Sequence, residues 1–277
     1  MTLLVGVAPE RRARAVLDLA AMLARTDGDD LLVTSIVPAP WAPGPARVDA
    51  EYQAELQGLA QAALDDARQR LPEGARYVVH HARSVPSGLV EVAERNDARM
   101  LVLGSAISGA LGYVHLGSTT DGLVHSSPIP VALAPRGFRC RGNCPVKRLT
   151  AAFGGADDRV VAAAADIAGR IGASLRVASF VVRQRAPIQA GVGTETERAI
   201  AAQWERDVRS ALGEDHELVI GRGTSWDVAI DDIEWEDGDV LLVGSSSVGP
   251  VARVFLGSRA AKIVRNSPVP VVVVPRS

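Results

Sequence analysis

Short apolar runs recur along this chain, separated by stretches with helical spacing. Leu3 to Val7, Leu31 to Val37, Tyr77 to His80, Met100 to Leu103 and Ile129 to Leu133 have the length and composition of strands buried on both faces. Between them Ala13, Val16, Leu17, Ala20 and Leu23 fall on one helical face, as do Leu56, Leu59, Ala60, Ala63, Ala67 and Leu71. The order is βαβαβαβαβ. Such alternation predicts a parallel sheet with right-handed crossovers and helices on both sides. The second half repeats it. Strands are expected at Leu149 to Phe153, Leu175 to Val181, Leu218 to Ile220, Val240 to Val243 and Val269 to Val273. Its helices are expected through Val160, Ala163, Ala164, Ile167 and Ile171, and through Ile200, Trp204, Val208 and Leu212.

The repetition is literal near the end of each half. Residues 104 to 136 align without a gap on residues 244 to 276, and 14 of the 33 positions are identical, including Gly104/Gly244, Gly109/Gly249, Gly117/Gly257, Ser118/Ser258, Pro128/Pro268 and Pro135/Pro275. Two copies of one domain follow, spanning 1–138 and 146–277. The join falls in GFRCRGNCPVK, where glycine, proline and basic residues interrupt the pattern.

At 277 residues the chain is long enough for two such cores. A formal charge of −2 and a pI near 6.2 give no reason to expect a nucleic acid or an anionic membrane as partner. No apolar stretch approaches the ~18 residues of a membrane span, and the N-terminal run lacks the basic start of a targeting signal. The cytoplasm is the expected address, in keeping with only two cysteines, Cys140 and Cys144.

Candidate chemistry lies in the repeated loop. The fourth strand of each half ends at Gly104 or Gly244, and thirteen residues later Gly117-Ser118 or Gly257-Ser258 opens a helix. Free backbone N–H groups and the positive end of the helix dipole suit a phosphate there, with a hydroxyl adding a hydrogen bond. Open α/β sheets bind ligands at these strand ends. The alternative is purely structural: a glycine exit, a tight helix start and Ser118 as an N-cap.

The βα order, the strand–Gly–loop–Gly-Ser–helix segment and the following Ser-Pro-x-Pro-Val resemble the universal stress protein family in its tandem form. The resemblance implies an α/β fold of two tandem five-stranded parallel-sheet domains, of the adenine-nucleotide alpha-hydrolase-like type. It also implies a non-enzymatic stress-response protein that binds ATP or AMP, with or without Mg, through this loop. Carried over, the motif places Gly104, Gly117 and Ser118 in the first half and Gly244, Gly257 and Ser258 in the second, and the candidate site adds Gly109 and Thr119, and Ser247, Gly249 and Arg259, beside them. Two features depart from the family pattern. The middle glycine is Ile107 or Ser247, and the aspartate that serves the ribose after the first strand is absent from Val7-Ala8-Pro9-Glu10 and from Phe153-Gly154-Gly155-Ala156. A β-branched Ile107 disfavours positive φ and fills space, whereas Ser247 is small and can donate, so the sequence favours the second half, aided by Arg253 and Arg259. A site with no nucleotide at all, in a protein acting as an interaction scaffold, is the competing expectation.

The fifth strands are apolar and expected at sheet edges, which need cover. The resemblance implies that they pair with each other, giving a pseudo-dimer within one chain; a homodimer of whole chains is a further expectation. Other signals are weaker. Phe153 to Asp158 is similar to the pyrophosphate loop of adenylating enzymes but lacks its serines, so capping by Asp157 is the plainer reading. Cys140 and Cys144 lack further ligands for zinc, the acidic run Asp231 to Asp239 reads as a solvated helix end, and Trp41 reads as packing.

Overall fold

The computed structural model describes residues 1–9, 13–39, 46–106, 110–140, 145–155, 159–182, 193–212, 216–245 and 256–275. The first repeat runs β1 (Thr2–Gly6), α1 (Arg14–Asp27), β2 (Asp30–Pro38), α2 (Ala46–Arg68), β3 (Arg76–Ala82), α3 (Val85–Arg95), β4 (Ala98–Gly104), α4 (Ser118–Leu123) and β5 (Val131–Ala134). The second runs β6 (Arg148–Ala152), α5 (Arg159–Ile171), β7 (Ser174–Val182), α6 (Gly193–Leu212), β8 (Glu217–Gly223), α7 (Trp226–Asp231), β9 (Asp239–Gly244), α8 (Ser258–Arg265) and β10 (Val271–Val274).

All ten strands form one sheet in the order β3-β2-β1-β4-β5-β10-β9-β6-β7-β8. Every neighbouring pair is parallel except the central one, where β5 meets β10 antiparallel with Ala132 opposite Val272. The two fifth strands therefore cover each other, as the pseudo-dimer requires. Because strand direction reverses at this seam, the carboxyl ends of the two repeats point to opposite edges of the sheet.

Side chains alternate across the sheet, so each face has its own core and each core runs through both repeats. One face gathers Leu3, Val5, Ala132, Leu149, Ala151 and Val272; the other gathers Leu4, Leu101, Leu133, Leu241, Val271 and Val273. At the seam Val131 to Ala134 are fully buried, and Val271 and Val273 likewise.

The last strands begin two residues later than the apolar run suggests. Pro128 and Pro130, and their counterparts Pro268 and Pro270, carry no N–H to give to a ladder. Their segment instead forms a turn held by a buried serine: Ser127 Oγ donates to Ile129 O at 2.7 Å and Ser267 Oγ to Val269 O at 2.8 Å. The shared Ser-Pro is thus a structural turn. In each half the proline carbonyl then starts the parallel ladder, accepting from Leu101 N at 2.9 Å and Leu241 N at 2.8 Å.

The acidic run divides its work. Asp231 accepts from the Tyr113 hydroxyl of the other repeat at 3.0 Å, Asp232 from Arg222 N at 2.9 Å, and Asp239 is buried in a bidentate pair with Arg148 at 2.9 and 2.6 Å. A solvated helix end does not describe Asp239, whose carboxylate offsets the half-buried Arg148 and the buried Arg176. Burial, followed by the neighbouring Arg148 charge, lowers the Arg176 pKa from its ordinary value. Cys140 packs against the first core; Cys144, Trp41 and Asp157 lie outside the described residues.

Candidate functional site

At each carboxyl edge the strand ends enclose a cavity. The first, about 570 Å³, is lined by the ends of β1, β2 and β4, by α1 and α3, and by the start of α4. Gly104, Gly117, Ser118 and Thr119, four of the residues expected from sequence, line it together. The loop between Gly104 and Gly117 is brought back by Ser105. Its hydroxyl donates to Ala134 O at 2.7 Å and accepts from His115 N at 3.0 Å, while Ala106 N donates to His115 O at 2.9 Å. This clasp sets the helix start beside the strand end. Gly117 is the N-cap with no side-chain cap bond, and it sits so close to the loop that an added Cβ would lie 3.1 Å from the Ala106 Cβ.

The floor contains a polar group that the sequence reading missed. Thr34 is fully buried and lines the cavity, yet its Oγ1 has no hydrogen-bond partner among the described residues. A buried hydroxyl left unpaired costs about 1–3 kcal/mol. Thr34→Val keeps the shape and removes the unpaired group, so the ligand-free protein should gain about 1 kcal/mol, measured by denaturant titration. A loss of stability would mean that the hydroxyl is already satisfied. No pattern signal marked this residue, because a threonine inside a strand is common.

The second cavity, about 850 Å³, has the same frame with different walls. Gly244 and Arg259 line it; Gly257 caps α8, again without a side-chain bond, and Ser258 is its first residue. Ser245 repeats the clasp of Ser105, donating to Val274 O from N at 3.0 Å and from Oγ at 2.8 Å. Ser247, Gly249 and Arg253 lie outside the described residues, as do Ile107 and Gly109. Phe153, Phe180, Trp204 and Trp226 all face this cavity. Trp204 donates from Nε1 to Ser179 Oγ at 3.1 Å, and its ring rests on Gly155, which holds φ +88°. A Cβ on Gly155 would come within 2.6 Å of that ring. The Gly154-Gly155 pair therefore accommodates a tryptophan. No carboxylate follows β1 or β6 at the described positions: Ala8 and Gly154 occupy the walls where the family aspartate would stand.

Among the described residues no group of three or more histidine, cysteine or carboxylate side chains is placed to hold a metal ion, and no helix is long and apolar enough to cross a membrane.

Two tandem parallel-stranded repeats joined in one sheet, each with a cavity at its strand–Gly–loop–Gly-Ser segment, define a universal stress type of architecture, and comparison bears this out. The universal stress protein family model matches twice, over residues 1–135 and 148–275. Universal stress proteins of Mycobacterium tuberculosis and Mycobacterium bovis are each 39% identical over 292 residues, an alignment covering 99% of this chain and 100% of each relative. The chain belongs to the universal stress protein family. The crystal structure of a universal stress protein from Archaeoglobus fulgidus shares the fold, with a TM-score of 0.60 at 17% identity over 100% of this chain and 96% of that one.

Proposed function

We propose that this chain is a non-catalytic ligand-binding protein of the stress response, and that its ligand is an adenine nucleotide, ATP or AMP, with Mg accompanying ATP. One observation carries the reading: Gly104, Gly117, Ser118 and Thr119, singled out by spacing, meet on the wall of one cavity at the carboxyl ends of parallel strands. The cavity volume falls within the ~300–1,000 Å³ of small-molecule sites. Gly117 and Ser118 offer backbone N–H groups to phosphate, and the buried Thr34 hydroxyl offers a hydrogen bond to the deep end of the ligand. The sequence preference for the second half rests on Ser247 and Arg253, outside the described residues, and on Arg259, which lines the second cavity; the buried Thr34 hydroxyl favours the first half for a nucleotide. A cytoplasmic setting fits this role, and a homodimer of whole chains would have to use a surface other than the fifth strands, which are occupied by each other.

The test is a melting curve with and without millimolar ATP or AMP, backed by calorimetry. A ligand confined to the folded state stabilises by about 2.7 kcal/mol at a hundredfold excess over Kd. Gly117→Val, which crowds Ala106 and the helix start, should weaken binding by tenfold or more, on the order of 1.4 kcal/mol. Protein that releases no nucleotide on denaturation and shows no shift with either nucleotide is the scaffold of the competing reading.

A further inference from the structure

Strand register allows the two cavities to be compared position by position. Thr2 and Asp30 pair as Arg148 and Ser174 do, and Leu32 meets Arg76 as Arg176 meets Glu217. Val7 N donates to Thr34 O at 2.9 Å, and Phe153 N to Ala178 O at 2.8 Å. On this frame Val7, Ile36 and Val85 of the first cavity become Phe153, Phe180 and Trp226 of the second. At the register position of Thr34 stands Ala178, which carries no hydroxyl. At the rim Ala15 becomes Arg159, and Thr119 becomes Arg259.

Each exchange changes what the cavity can hold. Three aliphatic positions turn aromatic, and Trp204 adds a fourth ring, in a chain with only four Phe and four Trp in all. Phe180 and Trp226 stand with centroids 6.4 Å apart and planes inclined at 54°, a tilted pair that presents ring faces and edges. The threonine hydroxyl is gone from its register position, and Ser179 Oγ already accepts from the Trp204 N–H at 3.1 Å, which leaves only its own proton to offer a ligand. A purine placed here would bury part of its hydrogen-bonding edge beside apolar rings, at a cost. Arg259 at the rim favours negative charge. We propose that the second cavity binds a different ligand class from the first: a flat carbocyclic aromatic anion, its ring among Phe153, Phe180, Trp204 and Trp226 and its acidic group at Arg259.

Naphthoate is a suitable probe, with neutral naphthol and AMP as comparators, titrated into the full chain by calorimetry and tryptophan fluorescence. Naphthoate should bind at one site per chain. Trp226→Leu should weaken it by about tenfold, and Ala163→Trp, which fills the cavity from its α5 wall, should abolish binding in a protein whose melting temperature is unchanged. Arg259→Gln should weaken naphthoate but not naphthol. AMP should leave naphthoate bound. Displacement by AMP with matching stoichiometry, indifference to both Trp226→Leu and Ala163→Trp, or no binding at millimolar naphthoate would overturn the proposal. A protein that binds naphthoate but no nucleotide would instead refute the nucleotide reading alone, so the two can fail separately.

Discussion

Val272→Lys should destabilise the whole chain by about 4 kcal/mol, which combines a lost buried valine, at about 1.5–3 kcal/mol, with the cost of burying an amine that has no partner. Val272 is 5% exposed, lies opposite Ala132 on the antiparallel seam and belongs to a core built from both repeats. The loss is thus not confined to one half. For a chain of this size it should lower the melting temperature by roughly 8–16 °C, still within one cooperative transition. Val228→Lys is the control: Val228 is 47% exposed, and its substitution should change stability by less than ~0.5 kcal/mol. A drop of only a degree or two for Val272→Lys, or a split into two independent transitions, would show that the seam does not unite the repeats. Severing the linker between Arg139 and Pro145 should leave the halves together, because the seam and the contacts across it hold them. Those contacts include Arg265 to Asp121 at 3.3 Å and Arg170 to Asp27 at 3.0 Å, surface pairs that add little energy.

The need for this seam was legible in the sequence because strands buried on both faces read as unbroken apolar runs, and two such runs ending a repeat had to be covered; that they cover each other was implied by the resemblance. The glycine and serine positions of the loop were legible for a similar reason: their spacing recurs at an offset of 140 residues. What the sequence did not yield was set by packing between distant segments. Helix α3 begins Val85-Pro86-Ser87-Gly88, so its apolar spacing starts late. Its N-terminus is secured by a reciprocal box in which Ser87 N donates to Ser84 Oγ at 3.3 Å and Ser84 N to Ser87 Oγ at 3.2 Å. The aromatic walls of the second cavity escaped notice because Phe153, Phe180, Trp204 and Trp226 are spread over more than seventy residues and meet only once the sheet has formed. Trp204 fits the helical pattern of α6 and carries no sign there that its indole reaches across to Ser179. Phe153-Gly154-Gly155 is similar to a pyrophosphate loop, yet the space beside Gly155 is taken by that indole.

The same kind of packing makes Gly221→Ala the most damaging small change expected in the second repeat. In the first repeat the close approach of helix to sheet is made by a glycine on the helix: a Cβ on Gly88 would lie 2.8 Å from the Ala82 Cβ and 2.7 Å from Ile36 Cγ2. In the second repeat the glycines lie on the strand instead. A Cβ on Gly221 would stand 2.0 Å from Ala229 O and 3.0 Å from Phe180 Cδ1, and one on Gly223 would stand 2.4 Å from Ala229 N. The obstacle is backbone, which cannot rotate away, so relief requires the six-residue α7 to lift from β8. Overpacking of this kind costs about 1–3 kcal/mol, and the upper end is expected here because Ala229 and Ile230 are fully buried. Trp226 is the first residue of α7, and Phe180 touches the same methyl, so two walls of the second cavity move together. Gly221→Ala should therefore lower stability by about 3 kcal/mol and weaken naphthoate at least tenfold, while nucleotide binding at Gly104 and Gly117, on the opposite edge of the sheet, stays unchanged. Equal loss at both cavities would mean that the repeats respond as one body to a local displacement, and full retention at both would mean that α7 does not set the walls of the second cavity.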